Sequence, residues 1–205
     1  MLIIKIHETN IEQVLYRTVD ILKNGGIVVY PTETFYGLGV KFDMEDSLKK
    51  LCNIKQRPEE KAMPLIIGNK GLLSVIAASI NDMALLLMDR FWPGPLTLIF
   101  LAKENLSEYI TAGTHTIAVR IPGESFALQL AKTANFPITA TSANPSGLPP
   151  AQDAESVIKY FGDKVDLIID GGHTSGGLAS TIVDVTGNKI KILREGVIKK
   201  ELLTL

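Results

Sequence analysis

Residues 27–39 read IVVYPTETFYGLG, an apolar run followed by a polar segment that ends in two glycines. The run Ile27–Tyr30 is rich in β-branched residues and predicts a buried strand. Pro31 ends that strand, because proline has no backbone N–H to donate to a sheet. A helix is predicted next, from about Met44 to Ile54, with Asp43 as its N-cap. A buried strand that leads into a helix is typical of an α/β protein.

The same alternation of strand-like and helix-like segments extends in both directions. Upstream, a strand is predicted at Leu2–Ile6, and a helix begins near Thr9 or Asn10 and ends at Gly25 and Gly26. Further strands are predicted near residues 65–67, 96–101, 117–121, 138–141, 167–169, 181–185 and 190–193, and further helices at 81–91, 125–134 and 154–161. The sequence therefore predicts an α/β fold built on one sheet.

The composition is that of an ordinary globular chain. Of the 205 residues, 46% are hydrophobic and 21% are charged, which favours one large domain, residues 1–205. No run approaches the roughly 20 apolar residues of a membrane span, and the N-terminus lacks the layout of a secretion signal, so a cytoplasmic protein without a membrane contact is expected. A net charge of -1 gives no reason to expect tight nonspecific binding to nucleic acid. The three histidines have no metal-ligand spacing, so no metal site is predicted.

Polar and charged side chains collect in the loops, where an α/β scaffold carries its binding groups. Residues 32–39 supply hydroxyls, a carboxylate and glycines, which fit either a ligand loop or a turn with an aromatic anchor. Residues 55–61, KQRPEEK, place three cations after a helix, where they either converge on a phosphate chain or complement the helix dipole. Residues 139–147, TATSANPSG, fit either a small polar ligand or a turn that caps its own backbone.

Three further residues stand in short motifs later in the chain: Arg120 in AVRIP, Ser180 in ASTIVD and Arg194 in LREG. Arg120 lies inside an apolar strand, and burying an unpaired charge there would cost several kcal/mol of folding free energy. Either a ligand or an acidic side chain of the protein must therefore pair with it. The chain has neither GxxxxGK[ST] nor GxGxxG, so any nucleotide must be held in another way.

Taken together and in this order, the loop motifs closely resemble those of the YrdC-like family. They are YPTET and YGLG from Tyr30, KQRP from Lys55, PGPLT from Pro93, VRIP from Val119, TSAN from Thr141, STIVD from Ser180 and LREG from Leu193. The resemblance runs from about residue 11 to residue 198. It implies a single-domain, twisted α/β fold whose mixed sheet curves around an open cavity.

The resemblance also implies an activity. Members of the family make threonylcarbamoyl-AMP and pyrophosphate from L-threonine, bicarbonate and ATP, for the N6-threonylcarbamoyladenosine modification of tRNA. Carried over by position, the threonine contacts are Thr34, Arg120, Ala140 and Ser180. The nucleotide contacts are Lys55, Arg57, Lys61, Thr116, Ser142, Asn144, Pro150 and Arg194, of which Lys55, Arg57 and Arg194 would serve catalysis. Mg²⁺ is expected with ATP, and tRNA threonylcarbamoyltransferase proteins are the expected downstream partners.

Two features depart from the family pattern. The segment AMPLIIG, residues 62–68, follows Arg57 with two more residues before its proline than many members have, and Gly68 stands where they carry a threonine-contacting histidine. The run Lys-Ala-Met-Pro resembles YrdC-like domains of hydrogenase-maturation carbamoyltransferases. The chain is also expected to lack the C-terminal domain of longer members. Two alternatives therefore stay open: an RNA-binding translation modulator acting on tRNA or double-stranded RNA, and a carbamoyladenylate-handling domain.

Overall fold

The computed structural model describes residues 1–58 and 60–203. The helices are α1 (Ile11–Lys23), α2 (Glu45–Lys55), α3 (Leu73–Ile76), α4 (Asp82–Phe91), α5 (Glu108–Thr111), α6 (Phe126–Ala134) and α7 (Ala154–Phe161). The strands are β1 (Leu2–Lys5), β2 (Val28–Pro31), β3 (Tyr36–Gly39), β4 (Leu65–Ile66), β5 (Leu96–Leu101), β6 (Thr116–Arg120), β7 (Ile138–Thr139), β8 (Thr141–Ser142), β9 (Leu167–Asp170), β10 (Thr181–Asp184) and β11 (Lys191–Arg194). No helix in the described ranges has the length and apolar character to cross a bilayer.

The mixed α/β fold is confirmed, and its strands form two sheets rather than one. The first sheet has the order β1-β9-β2-β3-β8 and the second the order β11-β10-β5-β6-β4-β7. Both contain parallel and antiparallel pairs. The predicted strand at residues 138–141 divides at Ala140, because β7 pairs with β4 in the second sheet and β8 pairs with β3 in the first. The chain thus passes from one sheet to the other at Ala140.

The two sheets touch at a corner next to this crossing. The Thr139 backbone N–H donates to the Val40 carbonyl at 2.9 Å, and the Val40 N–H donates to Thr139 Oγ1 at 2.9 Å. A Cβ at Gly39 would overlap the Thr139 carbonyl. Glycine at residue 39 therefore permits the close backbone contact that joins the sheets.

Two hydrophobic clusters hold the elements together. The larger cluster takes buried side chains from both sheets, among them Leu38 of the first and Leu98 of the second. The smaller cluster packs α1 and α6 against the first sheet, and Val14, Leu22 and Leu130 lie in it. Burial of one such side chain contributes about 1.5–3 kcal/mol, so the predicted apolar stripe of α1 is what docks that helix.

Two local predictions differ from the structure. Helix α2 begins at Glu45 with Met44 as its N-cap, and Asp43 instead forms an ion pair with Lys41 Nζ at 2.6 Å. The prediction that Asp43 is the N-cap is therefore wrong. The end of the predicted loop at residues 32–39 forms β3, which pairs with β2 as a hairpin.

Gly68 is tightly packed against α6. It follows β4, is buried, and lies against α6, where an added Cβ would stand 2.6 Å from Lys132 Cα and overlap the Ala131 carbonyl. A histidine at residue 68 therefore cannot be accommodated unless α6 shifts. Glycine at residue 68 thus permits the close approach of α6 to the end of β4.

We expect Gly68→Ala to lower stability. Overpacking of this kind costs about 1–3 kcal/mol, which corresponds to a fall in Tm of roughly 2–4 °C per kcal/mol in a chain of this size. Gly187→Ala is the matched control, because a Cβ at Gly187 has its nearest neighbour at 3.9 Å. Thermal unfolding followed by circular dichroism checks the prediction, and equal melting temperatures for the two variants would contradict it.

Candidate functional site

Most of the predicted site residues fall into two groups of contacting side chains and loops. One group, which we call the cation group, consists of Lys55, Arg57 and Lys61 with the adjoining loop 141–151. The other group, the arginine cluster, consists of Glu33, Thr97, Arg120, Ser180 and Arg194. The chain crossing at Ala140 leads directly into the first group, and the β2–β3 turn leads into the second.

Lys55 is the last residue of α2 and points its ammonium into the loop that follows β8. Its Nζ donates to the carbonyls of Ser142 at 2.5 Å and Asn144 at 2.7 Å. Its own carbonyl accepts from the Ser146 N–H at 2.8 Å. Burial, and then the positive charge of Arg57, lowers the pKa of Lys55 to about 7. Lys55 thus ties α2 to the loop and places a titratable cation beneath it.

Arg57 organises the segment that follows α2. The chain turns at Gln56, which has a left-handed φ of 50° and forms the C-cap of the helix. Arg57 then donates from Nε to the Lys61 carbonyl at 3.0 Å, from Nη2 to the Ala62 carbonyl at 2.5 Å and from Nη1 to Thr141 Oγ1 at 3.4 Å. Burial lowers the pKa of the guanidinium, which keeps its charge at neutral pH. Lys61 is exposed at the edge of this segment.

The loop after β8 combines an exposed hydroxyl with a buried amide. Ser142 is exposed, whereas Asn144 is buried and donates from Nδ2 to the carbonyls of Pro145 at 3.0 Å and Leu148 at 2.6 Å. Its Oδ1 is buried and has no hydrogen-bond partner among the described residues. Such an orphan acceptor is costly, and a ligand donor could satisfy it. Pro150 is exposed at the end of the same loop.

Within the arginine cluster, Arg194 is bound to Ser180. Arg194 donates from Nε at 3.1 Å and from Nη2 at 2.9 Å to the Ser180 carbonyl. The Ser180 hydroxyl lies 2.8 Å from Thr97 Oγ1. Burial, and then the charge of Arg120, lowers the pKa of Arg194. The two arginines are therefore close enough to create a shared positive potential, which suits an anionic ligand.

Arg120 has a protein partner. Its Nη1 forms an ion pair with Oε1 of Glu33, and the two side chains are 15% and 21% exposed. Of the two partners that the sequence left open for Arg120, the acidic side chain is the one present in this structure. The contact of Arg120 with a threonine carboxylate stays a prediction. The other carboxylate oxygen of Glu33, Oε2, is buried without a hydrogen-bond partner in the described part of the chain.

The β2–β3 turn holds Glu33 and Thr34 in place. Thr32 Oγ1 accepts from the N–H groups of Thr34 at 3.2 Å and Phe35 at 3.3 Å. From outside, the Gly176 N–H donates to the Thr34 carbonyl at 2.8 Å and Ser175 Oγ donates to the Glu33 carbonyl at 3.1 Å. The backbone of the turn is thus fixed, with the Glu33 side chain directed to Arg120 and the Thr34 hydroxyl 3.4 Å from Thr32 Oγ1.

Two predicted contacts take less obvious positions. Thr116 begins β6 and Arg120 ends it, so the two lie about 13 Å apart along the strand. Thr116 Oγ1 lies 2.8 Å from Thr114 Oγ1 and outside the arginine cluster. Ala140 lies at the junction itself, where its N–H donates to the Pro64 carbonyl at 2.8 Å. Ala140 is partly buried there and packs against the smaller hydrophobic cluster.

A cavity of about 760 Å³ opens beside the cation group, between α2 and α5. Glu45, Lys49, Cys52, Asn53, Arg57, Pro58, Glu60, Lys61, Glu108, Tyr109, Ala112 and Gly113 line it. Only Arg57 and Lys61 belong also to the predicted nucleotide contacts. Cys52 is half-buried at this wall and packs against the larger hydrophobic cluster. Within the described residues, no cluster of three or more His, Cys, Asp and Glu side chains could hold a metal ion.

Sequence reasoning missed three residues that the structure brings into contact with predicted ones. Glu33 pairs with Arg120, Thr97 contacts Ser180, and Thr141 contacts Arg57. All three stand inside motifs that the sequence had already singled out, YPTET, PGPLT and TSAN. Their partners lie at least 83 residues away, so no local pattern could have indicated the pairing.

The lowered pKa of Lys55 predicts a pH-dependent stability. The folded protein releases the Lys55 proton near pH 7, whereas an unfolded chain keeps it until about pH 10.5, the ordinary value. Between these values the unfolded state binds more protons, so this group makes the free energy of unfolding rise with pH, by about 1.4 kcal/mol per pH unit at most. Urea unfolding of Lys55→Met should show a smaller slope than the wild type, while the exposed Lys50→Met keeps the wild-type slope. Parallel curves for all three proteins would contradict the assignment.

Comparison with known proteins places the chain in a family. The family model Sua5_yciO_yrdC, described as telomere recombination, matches residues 20–196. Threonylcarbamoyl-AMP synthase of Pyrococcus abyssi (strain GE5 / Orsay) is 38% identical over 195 residues, which cover 95% of this chain and 57% of the relative. Threonylcarbamoyl-AMP synthase of Enterobacter sp. (strain 638) is 34% identical over 182 residues, which cover 85% of this chain and 93% of the relative.

Among solved structures, P. abyssi Sua5 complexed with L-threonine superposes with a TM-score of 0.93 at 37% identity, over 99% of this chain and 60% of that one. The chain thus spans little more than half the length of its Pyrococcus relative. The match of sequence and fold extends across both groups of the candidate site. The chain belongs to the Sua5/YciO/YrdC family.

Proposed function

We propose that this protein is a threonylcarbamoyl-AMP synthase, which forms threonylcarbamoyl-AMP and pyrophosphate from L-threonine, bicarbonate and ATP. One observation carries the proposal: the cation group contacts Thr141 and Ser142, directly after the chain crossing at Ala140, and the Glu33–Arg120 pair of the arginine cluster also spans the two sheets. A polyphosphate needs several converging cations, and an amino-acid carboxylate needs a guanidinium. The names of the relatives support the same reaction.

The proposal divides the site residues between two substrates. Threonine would contact Thr34, Arg120, Ala140 and Ser180. The nucleotide would contact Lys55, Arg57, Lys61, Thr116, Ser142, Asn144, Pro150 and Arg194. Arg194 lies within the arginine cluster, so it would stand between the α-phosphate and the bound amino acid. Mg²⁺ would arrive with ATP, because phosphate oxygens are its preferred ligands and described carboxylate clusters do not provide a site.

The chemistry requires no protein nucleophile. The threonine amine would capture carbon dioxide derived from bicarbonate as a carbamate and release a proton. A carbamate oxygen would then attack the α-phosphorus of ATP, and the bond to the β-phosphate oxygen would break with loss of pyrophosphate. The protein would contribute positioning and the neutralisation of phosphate charge by Lys55, Arg57 and Arg194.

The product would pass to tRNA threonylcarbamoyltransferase proteins, and direct binding of tRNA or double-stranded RNA is a separate part of the proposal. ATP, threonine and tRNA meet in the cytoplasm, so we place the reaction there. Residues 1–205 would act as one domain. The longer Pyrococcus relative has further chain beyond the matched part, so each of these statements concerns the segment described here.

Threonine-dependent release of pyrophosphate tests the proposal. The protein is mixed with Mg-ATP and bicarbonate, with or without L-threonine, and pyrophosphate is measured. Release that needs threonine supports the synthase. Release that needs carbamoyl phosphate instead would support the carbamoyladenylate alternative, and salt-sensitive tRNA binding without any release would support the RNA-binding alternative.

A further inference from the structure

The Glu33–Arg120 pair has features that a purely structural ion pair does not need. Glu33 comes from the turn of the first sheet and Arg120 from the end of β6 in the second, so the pair spans the junction where the site lies. Both side chains are partly exposed and can be approached from solvent. The pair therefore stands within the candidate site and is accessible to a ligand.

Each side chain of the pair has hydrogen-bonding groups without a partner among the described residues. Arg120 donates to Glu33 through Nη1, and its Nη2 and Nε form no hydrogen bond with the described residues. Glu33 accepts through Oε1, and its Oε2 is buried and unpartnered among the described residues. A guanidinium has five N–H donors and a carboxylate about four acceptor positions, so most of this capacity remains for a ligand.

The charges of the cluster complement a zwitterion. Arg120 pairs with the Glu33 carboxylate and lies close enough to Arg194 for their two positive charges to interact, so the cluster has one more cation than carboxylate and can take a ligand carboxylate. The ligand ammonium then needs an acceptor, and Glu33 is the carboxylate next to Arg120. The carboxylate plane of a glutamate turns at small cost, so Oε2 can rotate toward a ligand while Oε1 keeps a guanidinium contact.

We infer that Glu33 is a specificity-determining residue that binds the α-ammonium of the amino-acid substrate, while Arg120 binds its carboxylate. This inference rests on the proposed function, since it concerns the same threonine site. In the free protein Glu33 and Arg120 form an ion pair with each other. When the ligand binds, its ammonium contacts Glu33 and its carboxylate contacts Arg120. The site thereby selects α-amino acids over other carboxylic acids, and Thr34, next in the chain, stands where it can contact the remainder of the substrate.

The test removes the charge on the protein and on the ligand separately. Calorimetric titration measures binding of L-threonine and of 2,3-dihydroxybutyrate with the stereochemistry of threonine, in which a hydroxyl replaces the ammonium. Glu33→Gln should lower the affinity for L-threonine at least about 30-fold, because it breaks a partly desolvated charge pair. It should change the affinity for the hydroxy acid less than about threefold. Glu124→Gln, an exposed carboxylate near the same turn, is the control and should leave both affinities unchanged.

Each outcome decides the inference. Equal weakening of both ligands would show that Glu33 only positions Arg120, and unchanged binding of L-threonine would remove any role for Glu33. If Glu33→Gln does not fold, Glu33→Asp, which keeps the charge but withdraws it, should still weaken L-threonine more than the hydroxy acid, and equal effects would overturn the inference. If the wild type does not bind L-threonine at all, the proposed function itself fails, and this inference fails with it.

Discussion

Arg57→Ala should lower kcat/KM for ATP by at least about 100-fold while threonine affinity changes little. The substitution removes a positive charge from the cation group and three hydrogen bonds that hold Lys61, Ala62 and Thr141. Loss of a preorganised charge at a phosphate site typically costs about two to three orders of magnitude in rate. Steady-state pyrophosphate release at varied ATP measures the effect.

The controls separate charge from folding. Arg57→Lys keeps the charge but loses the planar fork, so it should recover part of the activity. Lys50→Ala removes an exposed cation of α2, the helix that precedes Arg57, and should leave ATP use unchanged. An Arg57→Ala protein that uses ATP normally, or one that loses threonine and ATP use equally, would contradict the assigned role.

Arg120→Ala should have the second large effect, a loss of at least about 100-fold in kcat/KM for threonine. The substitution removes the proposed carboxylate contact and also leaves Glu33 without its charged partner. Breaking such a pair costs about 2–5 kcal/mol in binding, and the unpaired Glu33 carboxylate also lowers stability. Initial rates at varied threonine and thermal unfolding should therefore both change.

A double variant distinguishes these two consequences. Arg120→Ala with Glu33→Gln removes both charges, so it should recover most of the lost stability without recovering threonine use. ATP affinity should stay close to the wild-type value in both variants. If the double variant recovers threonine use together with stability, the effect of Arg120→Ala is on folding alone and the proposed carboxylate contact is wrong.

The regular elements follow from local patterns in the sequence. Helices α4, α6 and α7 begin within one residue of their predicted starts, because Asn81, Ser125 and Asp153 accept hydrogen bonds from their first turns. Strand β3 could not be predicted in this way, since YGLG carries glycines that local propensity assigns to a loop. It becomes a strand only because β2 and β8 lie on either side of it.

Contacts between residues far apart in the chain could not be predicted from the sequence. An uninterrupted extended segment at residues 138–142 does not show that its two halves join different sheets. From the sequence, Gly68 is a glycine where the family pattern has a histidine. Only the structure shows that a side chain at residue 68 would overlap α6. The motifs predicted the residues of the site through resemblance, whereas the pairing of Glu33 with Arg120 required the tertiary structure.

The most direct test of the central claim follows labelled bicarbonate into product. The wild-type protein is incubated with Mg-ATP, labelled bicarbonate and L-threonine, and pyrophosphate and nucleotide products are measured together. The account predicts a labelled adduct of threonine and AMP that forms in equal amount to pyrophosphate and is absent without threonine. Pyrophosphate release that does not depend on threonine, or no labelled nucleotide adduct at all, would contradict it.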